Sequence, residues 1–318
     1  MKNIVDVLNE KIKEMKSPIV VGLDPVIGEI PNCYKEKYKN EADKFKAIGE
    51  ILFDFNKDII DAVYNIVPAV KPQNAFYEMY GSEGVKAFER TIKYAKSKGL
   101  IVIDDAKRND IGNTGAVYAK GHLGTVDIGN NEEATAFNAD FLTVSPYLGG
   151  DSLDPFVDEC IKHNKGVFIL VKTSNPSSGD IQDRVTESGE KIYEVVAKYI
   201  AKQTEKFETE SGYCPIGAVV GATYPEQATE LRKIMPKNIF LVPGYGAQGA
   251  TAKDICNAFN EDGLGAVVNS SRGIIFAYKK KYDKETCTRE QYMETVKVAT
   301  ELMKNDIVNA LIAENKKI

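Results

Sequence analysis

Short apolar runs rich in β-branched residues alternate along this chain with longer amphipathic stretches. Runs of about four to eight apolar residues signal strands buried on both faces. They lie at Pro18–Leu23, Val67–Val70, Leu100–Asp104, Phe141–Ser145, Gly166–Val171, Ile216–Gly221, Asn238–Val242 and Gly265–Asn269. The stretches between them carry helical periodicity. In the clearest, Phe45, Ile48, Leu52, Phe55, Ile59 and Val63 recur at spacings of three and four, which puts them on one helical face. Similar faces occur in Val85–Lys98, Tyr193–Phe207, Pro225–Ile234 and Tyr292–Leu311. Lys98-Gly99 and Gly149-Gly150 supply helix stops and turns.

Strands alternating with helices in this way predict an α/β fold, a single (β/α)₈ TIM barrel over residues 1–318 with extra N-terminal and loop helices. The alternative, a doubly wound open sheet, usually has fewer strands and binds its ligand at one switch point. A chain of 318 residues is compatible with one α/β barrel. No repeat of solenoid length, low-complexity tract or linker divides it. Two polar loops are long, Asn113–Asn138 and Pro176–Gly189, and loops of that length tend to be functional or mobile.

Composition narrows the function classes. Hydrophobic residues make up 43% and charged residues 27%, so a large core is feasible. The net charge of −5, with both signs mixed along the chain, argues against nucleic acid and membrane surfaces as partners. An anionic substrate must then be met by a local cluster of donors. The five cysteines, Cys33, Cys160, Cys214, Cys256 and Cys287, are scattered and never form C-x-x-C, as expected of reduced packing residues in a cytoplasmic protein. The histidines, His122 and His163, lie about forty residues apart; neither a zinc site nor a Ser-His-Asp triad is expected, and each reads as a surface or helix-end residue. The N-terminal segment lacks the apolar core of a signal peptide, and no apolar run is long enough to cross a bilayer.

In a barrel of this kind chemistry sits where the strands end. The first run ends in Asp24-Pro25, the second in Lys71-Pro72-Gln73-Asn74 and the third in Asp104-Asp105-Ala106-Lys107. The fifth ends in Lys172-Thr173-Ser174-Asn175, the seventh in Pro243-Gly244-Tyr245-Gly246-Ala247-Gln248, and the eighth in Ser270-Ser271-Arg272-Gly273. One charged residue after a strand could be a surface turn. Polar groups after nearly every strand predict a convergent site.

Phosphate is expected after the seventh and eighth strands. Gly244-x-Gly246-x-x-Gly249 is rich in unobstructed backbone N–H groups, and the stretch it opens, Ala250–Phe259, would offer a helix N-terminus to an anion. Gln248 adds an amide donor and Arg272 a forked one. A dinucleotide would call for an acidic residue about twenty positions on, where Asn269 stands, so a monophosphate is the better reading.

Asp105 and Lys107 straddle the third strand end, where alternation sends both side chains the same way. Lys71 closes the neighbouring strand, and Asp110 follows where a helix begins. Interleaved ammonium and carboxylate groups keep one another ionised. They form a fixed cationic proton donor beside a carboxylate that repels a second one. The bland alternative, a buried ion-pair ladder, is expensive to desolvate without a ligand. A divalent metal on Asp105 and Asp110 is disfavoured by the lysines already neutralising them.

Asp-x-Lys-x-x-Asp after the third strand, with Lys71 after the second, resembles the signature of the orotidine 5'-monophosphate decarboxylase family. The likeness extends over nearly the whole chain. It takes in Asp24-Pro25, the run from Asp105 through Ile111 to Thr114, Ser174, Pro243 to Gln248, and Arg272-Gly273. The stretch Asn113–Gly121 and the loop before Phe141 look like the apicomplexan, Plasmodium-like branch.

The resemblance implies decarboxylation of orotidine 5'-monophosphate (OMP) to uridine 5'-monophosphate (UMP), the last step of de novo pyrimidine synthesis, with no cofactor and no metal. Lys107 would protonate C6, Asp105 would flank the leaving carboxylate, and Lys71 would hold the ribose and orient Asp105. The partner subunit's Asp110 would keep Lys107 charged, helped by Ile111 and Thr114 of the partner subunit, in a homodimer with shared sites. Asp24 and Asn74 would bind ribose hydroxyls, Ser174 the pyrimidine, and Gln248 and Arg272 the phosphate. Pro243 and Gly273 belong to the same substrate-binding set. Orotate phosphoribosyltransferase would be a separate chain and a candidate partner.

Two other readings compete. A sugar-phosphate barrel, such as a keto-gulonate-phosphate decarboxylase or hexulose-phosphate synthase, shares Asp-x-Lys-x-x-Asp but needs magnesium. A nucleotide-binding barrel without catalysis would bind without turnover.

Overall fold

The computed structural model describes residues 2–246 and 249–318. Every expected run becomes a strand: β1 Ile19–Leu23, β2 Ala69–Pro72, β3 Ile101–Arg108, β6 Phe141–Val144, β7 Gly166–Lys172, β8 Cys214–Val220, β9 Asn238–Pro243 and β10 Ala266–Ser270. A separate antiparallel hairpin is formed by β4 Val126–Gly129 and β5 Glu132–Ala134. The long strands close in the order β1-β10-β9-β8-β7-β6-β3-β2. β1 pairs in parallel with both β2 and β10, which removes any open edge. The doubly wound alternative is therefore excluded.

Two layers of core follow from strand alternation. Val20, Ile101, Ile103, Phe141, Phe168 and Val267 point into the barrel, while Val21, Val102, Leu142 and Ile169 face the surrounding helices. The N-terminal helix Ile4–Met15 adds Val5, Leu8 and Ile12 to the interior cluster. Asp6 on that helix accepts backbone N–H groups of Glu210 and Ser211, just before β8 begins. The helix thus covers the N-terminal ends of the strands and leaves their C-terminal ends as the mouth.

The expected helices are present at Lys44–Val63, Gly81–Ser97, Ile192–Gln203, Pro225–Ile234 and Arg289–Ala313. Phe45 departs from its expected face. It lies in the first turn, where Asp43 caps the helix beyond the barrel wall, and its side chain is exposed. The segment expected as a loop over Asn113–Asn138 is instead the helix Gly112–His122 followed by the β4/β5 hairpin. Gly112, Gly115 and Gly121 depress helix propensity, and only Gly115, Ala119 and His122 are buried, so apolar periodicity is nearly absent. Pro176–Gly189 also has local structure: a 3₁₀ turn at Pro176–Ser178, the single-turn helix Gly179–Gln182, and a bridge from Val185 to Lys191.

All five cysteines are free, and four of them are buried. Among the described residues no helix is long and apolar enough to cross a membrane. His122 and His163 both close helices, Gly112–His122 and Asp154–His163, but His122 is buried rather than on the surface.

Candidate active site

The alternation that buries Ile101 and Ile103 inside the barrel continues to Asp105, and the one that turns Val102 outward continues to Asp104. These adjacent carboxylates have separate fates. Asp104 is fully buried in the helical layer, where its Oδ2 lies 2.6 Å from His122 Nδ1. Asp105 faces the mouth and collects four donors. Lys71 Nζ and Gln73 Nε2 (3.0 Å) reach its Oδ2; Lys107 Nζ (2.6 Å) and Thr143 Oγ1 (3.0 Å) reach its Oδ1.

Local backbone makes this possible. Gln73 bridges Asp105 in parallel, so Lys71 at the end of β2 sits beside the carboxylate. The β3–β6 register shifts between Asp104 and Arg108, and Lys107 adopts a left-handed φ of 50°. The Lys107 N–H then donates to Thr143 Oγ1 at 2.9 Å, and its side chain folds back towards Asp105.

Burial by itself would raise the Asp105 pKa, but the ammonium groups of Lys71 and Lys107 prevail and hold it well below the usual carboxylate range. Burial would lower the Lys71 pKa; Asp105 and Asp24 outweigh it and leave the lysine raised. The pair therefore stays ionised in the interior.

Two cavities meet at this pair, and both are lined by Lys71, Asp105 and Pro243. One, of about 460 Å³, is closed by Lys107, Thr143, Ser174, Gln182 and the apolar side chains of Leu170, Val219 and Leu241. The other, of about 200 Å³, is lined by Asp24, Gln73, Gly244, Asn269, Ser271 and Arg272. Asp24 Oδ1 and Asn269 Oδ1 are buried there without a hydrogen-bond partner among the described residues, so both are acceptors awaiting a donor. A lobe walled in part by apolar side chains on one side and a polar lobe with an exposed arginine on the other suit a base joined to a sugar phosphate. A larger cavity, about 560 Å³, lies between Tyr245, Gly273 and the C-terminal helix and holds none of this charge cluster.

The structure brings together Asp24, Lys71, Asp105, Lys107, Ser174, Pro243 and Arg272 from six strand ends. Ser174 reaches its place because Gly221 has no side chain: a Cβ there would stand 2.9 Å from Ser174 Cβ. Asn74 is buried but lines neither cavity, and Gly273 faces the larger cavity behind the arginine. Asp110, Ile111 and Thr114 lie outside both cavities of their own chain, and the Asp110 carboxylate accepts the Ile111 N–H at 2.7 Å. Gln248 lies outside the described residues.

One expectation is corrected. The helix after Gly249 is a single turn, Ala252–Ile255, and its start is occupied by its own carboxylate: Asp254 accepts from Thr251 N and Oγ1 at 2.8 and 2.7 Å. That carboxylate already caps the Thr251 N–H and hydroxyl, so the short helix has less to offer an anion than expected. Thr143 is a site residue that strand-end reading passed over, and Gln73 and Asn269, which stand at strand ends, were given no role by it. Thr143 had a signal, since it shares the inward parity of Phe141 in an otherwise apolar run.

Fold and site together define a TIM barrel with a lysine–aspartate cluster in a cleft at its mouth, the layout of a barrel enzyme that takes a small molecule there. The model of the Orotidine 5'-phosphate decarboxylase / HUMPS family matches residues 18–286, and the chain belongs to that family. An orotidine 5'-phosphate decarboxylase of Rhodopirellula baltica is 43% identical over 92% of this chain and 95% of its own length. One from Clostridium tetani is 39% identical over 97% of this chain and 99% of its own. Among solved structures, a Toxoplasma gondii protein assigned as an orotidine-monophosphate decarboxylase superposes with a TM-score of 0.78 at 28% identity, covering 98% of each chain. These sequence relatives are bacterial, so the family placement holds without singling out the apicomplexan branch.

Proposed function

We propose that this protein decarboxylates OMP to UMP without a cofactor. The observation that carries the reading is Asp105, held ionised between Lys71 and Lys107 where the two cavities meet. With the base in the larger lobe and the sugar phosphate in the smaller, the substrate carboxylate lies against Asp105. The C6–carboxyl bond breaks, carbon dioxide leaves, and the electron pair remains on C6. The Lys107 ammonium donates a proton to that carbon and regains one from solvent. The fixed positive charge beside C6 supplies electrostatic stabilisation as carbanion character develops, and needs no reorganisation at that moment. Repulsion between Asp105 and the substrate carboxylate adds a second, ground-state effect.

Lys71 orients Asp105 and reaches the ribose. Asp24, with its unpartnered oxygen, accepts a ribose hydroxyl, and Asn74 supports the same region. Ser174 meets the pyrimidine edge, while Arg272, Gln248 and the backbone near Pro243 and Gly273 hold the phosphate. Binding energy from the phosphate, remote from the reacting carbon, drives closure around the base.

The working unit in this proposal is a homodimer. The partner subunit's Asp110, Ile111 and Thr114 complete each site. Support comes from exposed apolar side chains in and just after the motif, Ile111 and Val117, which a second copy would cover. We place the enzyme in the cytoplasm, with orotate phosphoribosyltransferase as a partner chain. For a kinship with the apicomplexan branch the support is the Toxoplasma gondii structure, 28% identical to this chain.

The family's description also covers the HUMPS barrels, and a sugar-phosphate barrel of the competing kind needs magnesium. Incubating purified protein with OMP and following the loss of its absorbance, with and without a chelator, separates the readings. Turnover that survives the chelator supports the decarboxylase. No turnover of OMP sinks it, and tight binding without turnover leaves a nucleotide-binding barrel.

A further inference from the structure

Lys172 is the last residue of β7, and its side chain is fully buried. The reaction proposed above does not use it. Its ammonium meets one carboxylate, Asp183 Oδ1 at 2.7 Å, and the ring faces of Tyr224 at 4.5 Å and Tyr193 at 5.8 Å. Asp183 does not belong to the barrel wall. It follows the single-turn helix Gly179–Gln182, in the excursion between β7 and the helix Ile192–Gln203.

Two further contacts fasten the same excursion. Gln182 clasps Thr173: its Oε1 accepts the Thr173 N–H at 3.0 Å, and its Nε2 donates to Thr173 Oγ1 at 2.8 Å. Ser178 Oγ donates to the hydroxyl of Tyr224 at 3.2 Å, and Tyr224 is the ring over Lys172. Thr173, Ser174 and Gln182 all line the lobe assigned to the base. A long apolar side chain could fill the volume of Lys172 at lower desolvation cost. The ammonium, unlike such an apolar side chain, also retains Asp183, which is 41% exposed and otherwise free to turn to water.

We propose that Lys172 is a positioning residue. With Asp183 it latches residues 176–183 onto the end of β7, so that Ser174 and Gln182 stand as a preformed wall for the nucleotide base. The proposal deepens the decarboxylase reading and rests on it for the identity of the ligand.

The test compares Lys172→Met, Asp183→Asn, their combination, and Asp183→Glu. Steady-state kinetics with OMP, UMP affinity by calorimetry, and the rate of tryptic cleavage after the exposed Arg184 are measured for each. Losing the latch raises KM and the UMP Kd about tenfold with kcat within about threefold, because the wall must be ordered on binding. Cleavage after Arg184 accelerates about tenfold or more. The double variant is no worse than either single one, and Asp183→Glu, which keeps the carboxylate, stays near wild type. Asp183 is at the surface, so its variants report even if Lys172→Met fails to fold. Wild-type KM and wild-type cleavage in Asp183→Asn overturn the latch. Faster cleavage in a protein that never turns over OMP keeps the latch and rejects the decarboxylase reading instead.

Discussion

Lys107 holds its ammonium 2.6 Å from Asp105 Oδ1, two positions back in the same strand, and does so from a left-handed backbone at φ 50°. An ordinary extended residue would send a long side chain up out of the mouth. Here the chain folds back over the carboxylate, which fixes the proton donor before substrate arrives. Lys107→Ala removes that donor, and kcat is expected to fall by about 10³-fold or more while UMP still binds. Single-turnover measurements check the chemical step directly.

Asp105→Asn leaves the buried Lys71 ammonium without its strongest partner. The expected cost is about 3–5 kcal/mol of stability, read from urea denaturation, because one half of a buried pair is left uncompensated. The pH dependence carries a definite sign. The folded Asp105 pKa lies below its unfolded value, so the stabilisation is present above about pH 4 and fades as pH falls through the folded value. The stability gap between wild type and Asp105→Asn therefore narrows on acidification below about pH 4. A gap that widened there would contradict the assignment.

Gly221→Ala places a methyl group 2.9 Å from both Ser174 Cβ and Ser174 N. The base lobe must shift, and because the methyl group meets backbone as well as side chain, kcat/KM is expected to drop by about 10- to 100-fold with a stability loss of about 1–3 kcal/mol. Calorimetry with UMP locates the loss in binding.

Arg272 lines the smaller lobe and forms no ion pair among the described residues. Arg272→Ala should lower kcat/KM for OMP by about 10- to 100-fold, the worth of a charge-assisted contact. The same variant should leave turnover of orotidine, which has no phosphate, unchanged. Equal losses on the two substrates would move Arg272 away from the phosphate.

Lys107→Ala and Asp110→Ala should each be nearly inactive alone. Mixed after dissociation in equal amounts, they should recover about a quarter of wild-type activity, since each heterodimer has one intact site and one doubly damaged site. Sedimentation establishes that heterodimers have formed. Their formation without recovery would place Asp110 in its own chain's site or in none.

His122 pairs with Asp104 in the helical layer behind the site. The pair binds the helix Gly112–His122 to β3, and it is structural rather than chemical.

Much of the architecture was legible in order along the chain. The β-branched runs marked every barrel strand, because a strand buried on both faces must be apolar throughout. Strand-end position also picked out Lys71, Asp105, Lys107, Ser174 and Arg272, because a barrel's mouth gathers whatever ends its strands. The helix Gly112–His122 escaped notice, since its glycines and narrow buried face erase the periodicity that reveals a helix. Thr143 and Gln73 escaped because one polar residue in a strand or a turn carries no mark of the carboxylate it will meet.

The sequence by itself determined the alternation, the parity of Asp104 and Asp105, and the set of charges at the strand ends, all of which are local in the chain. Only the tertiary structure decided which charges touch: that Lys71 and Lys107 share one carboxylate, that Gly221 makes room for Ser174, that Asp254 caps the helix end expected to take phosphate, and that the buried Lys172 meets the part-exposed Asp183. Those outcomes depend on barrel closure and register, which bring distant residues within hydrogen-bonding distance and exclude the water that would otherwise keep their charges apart.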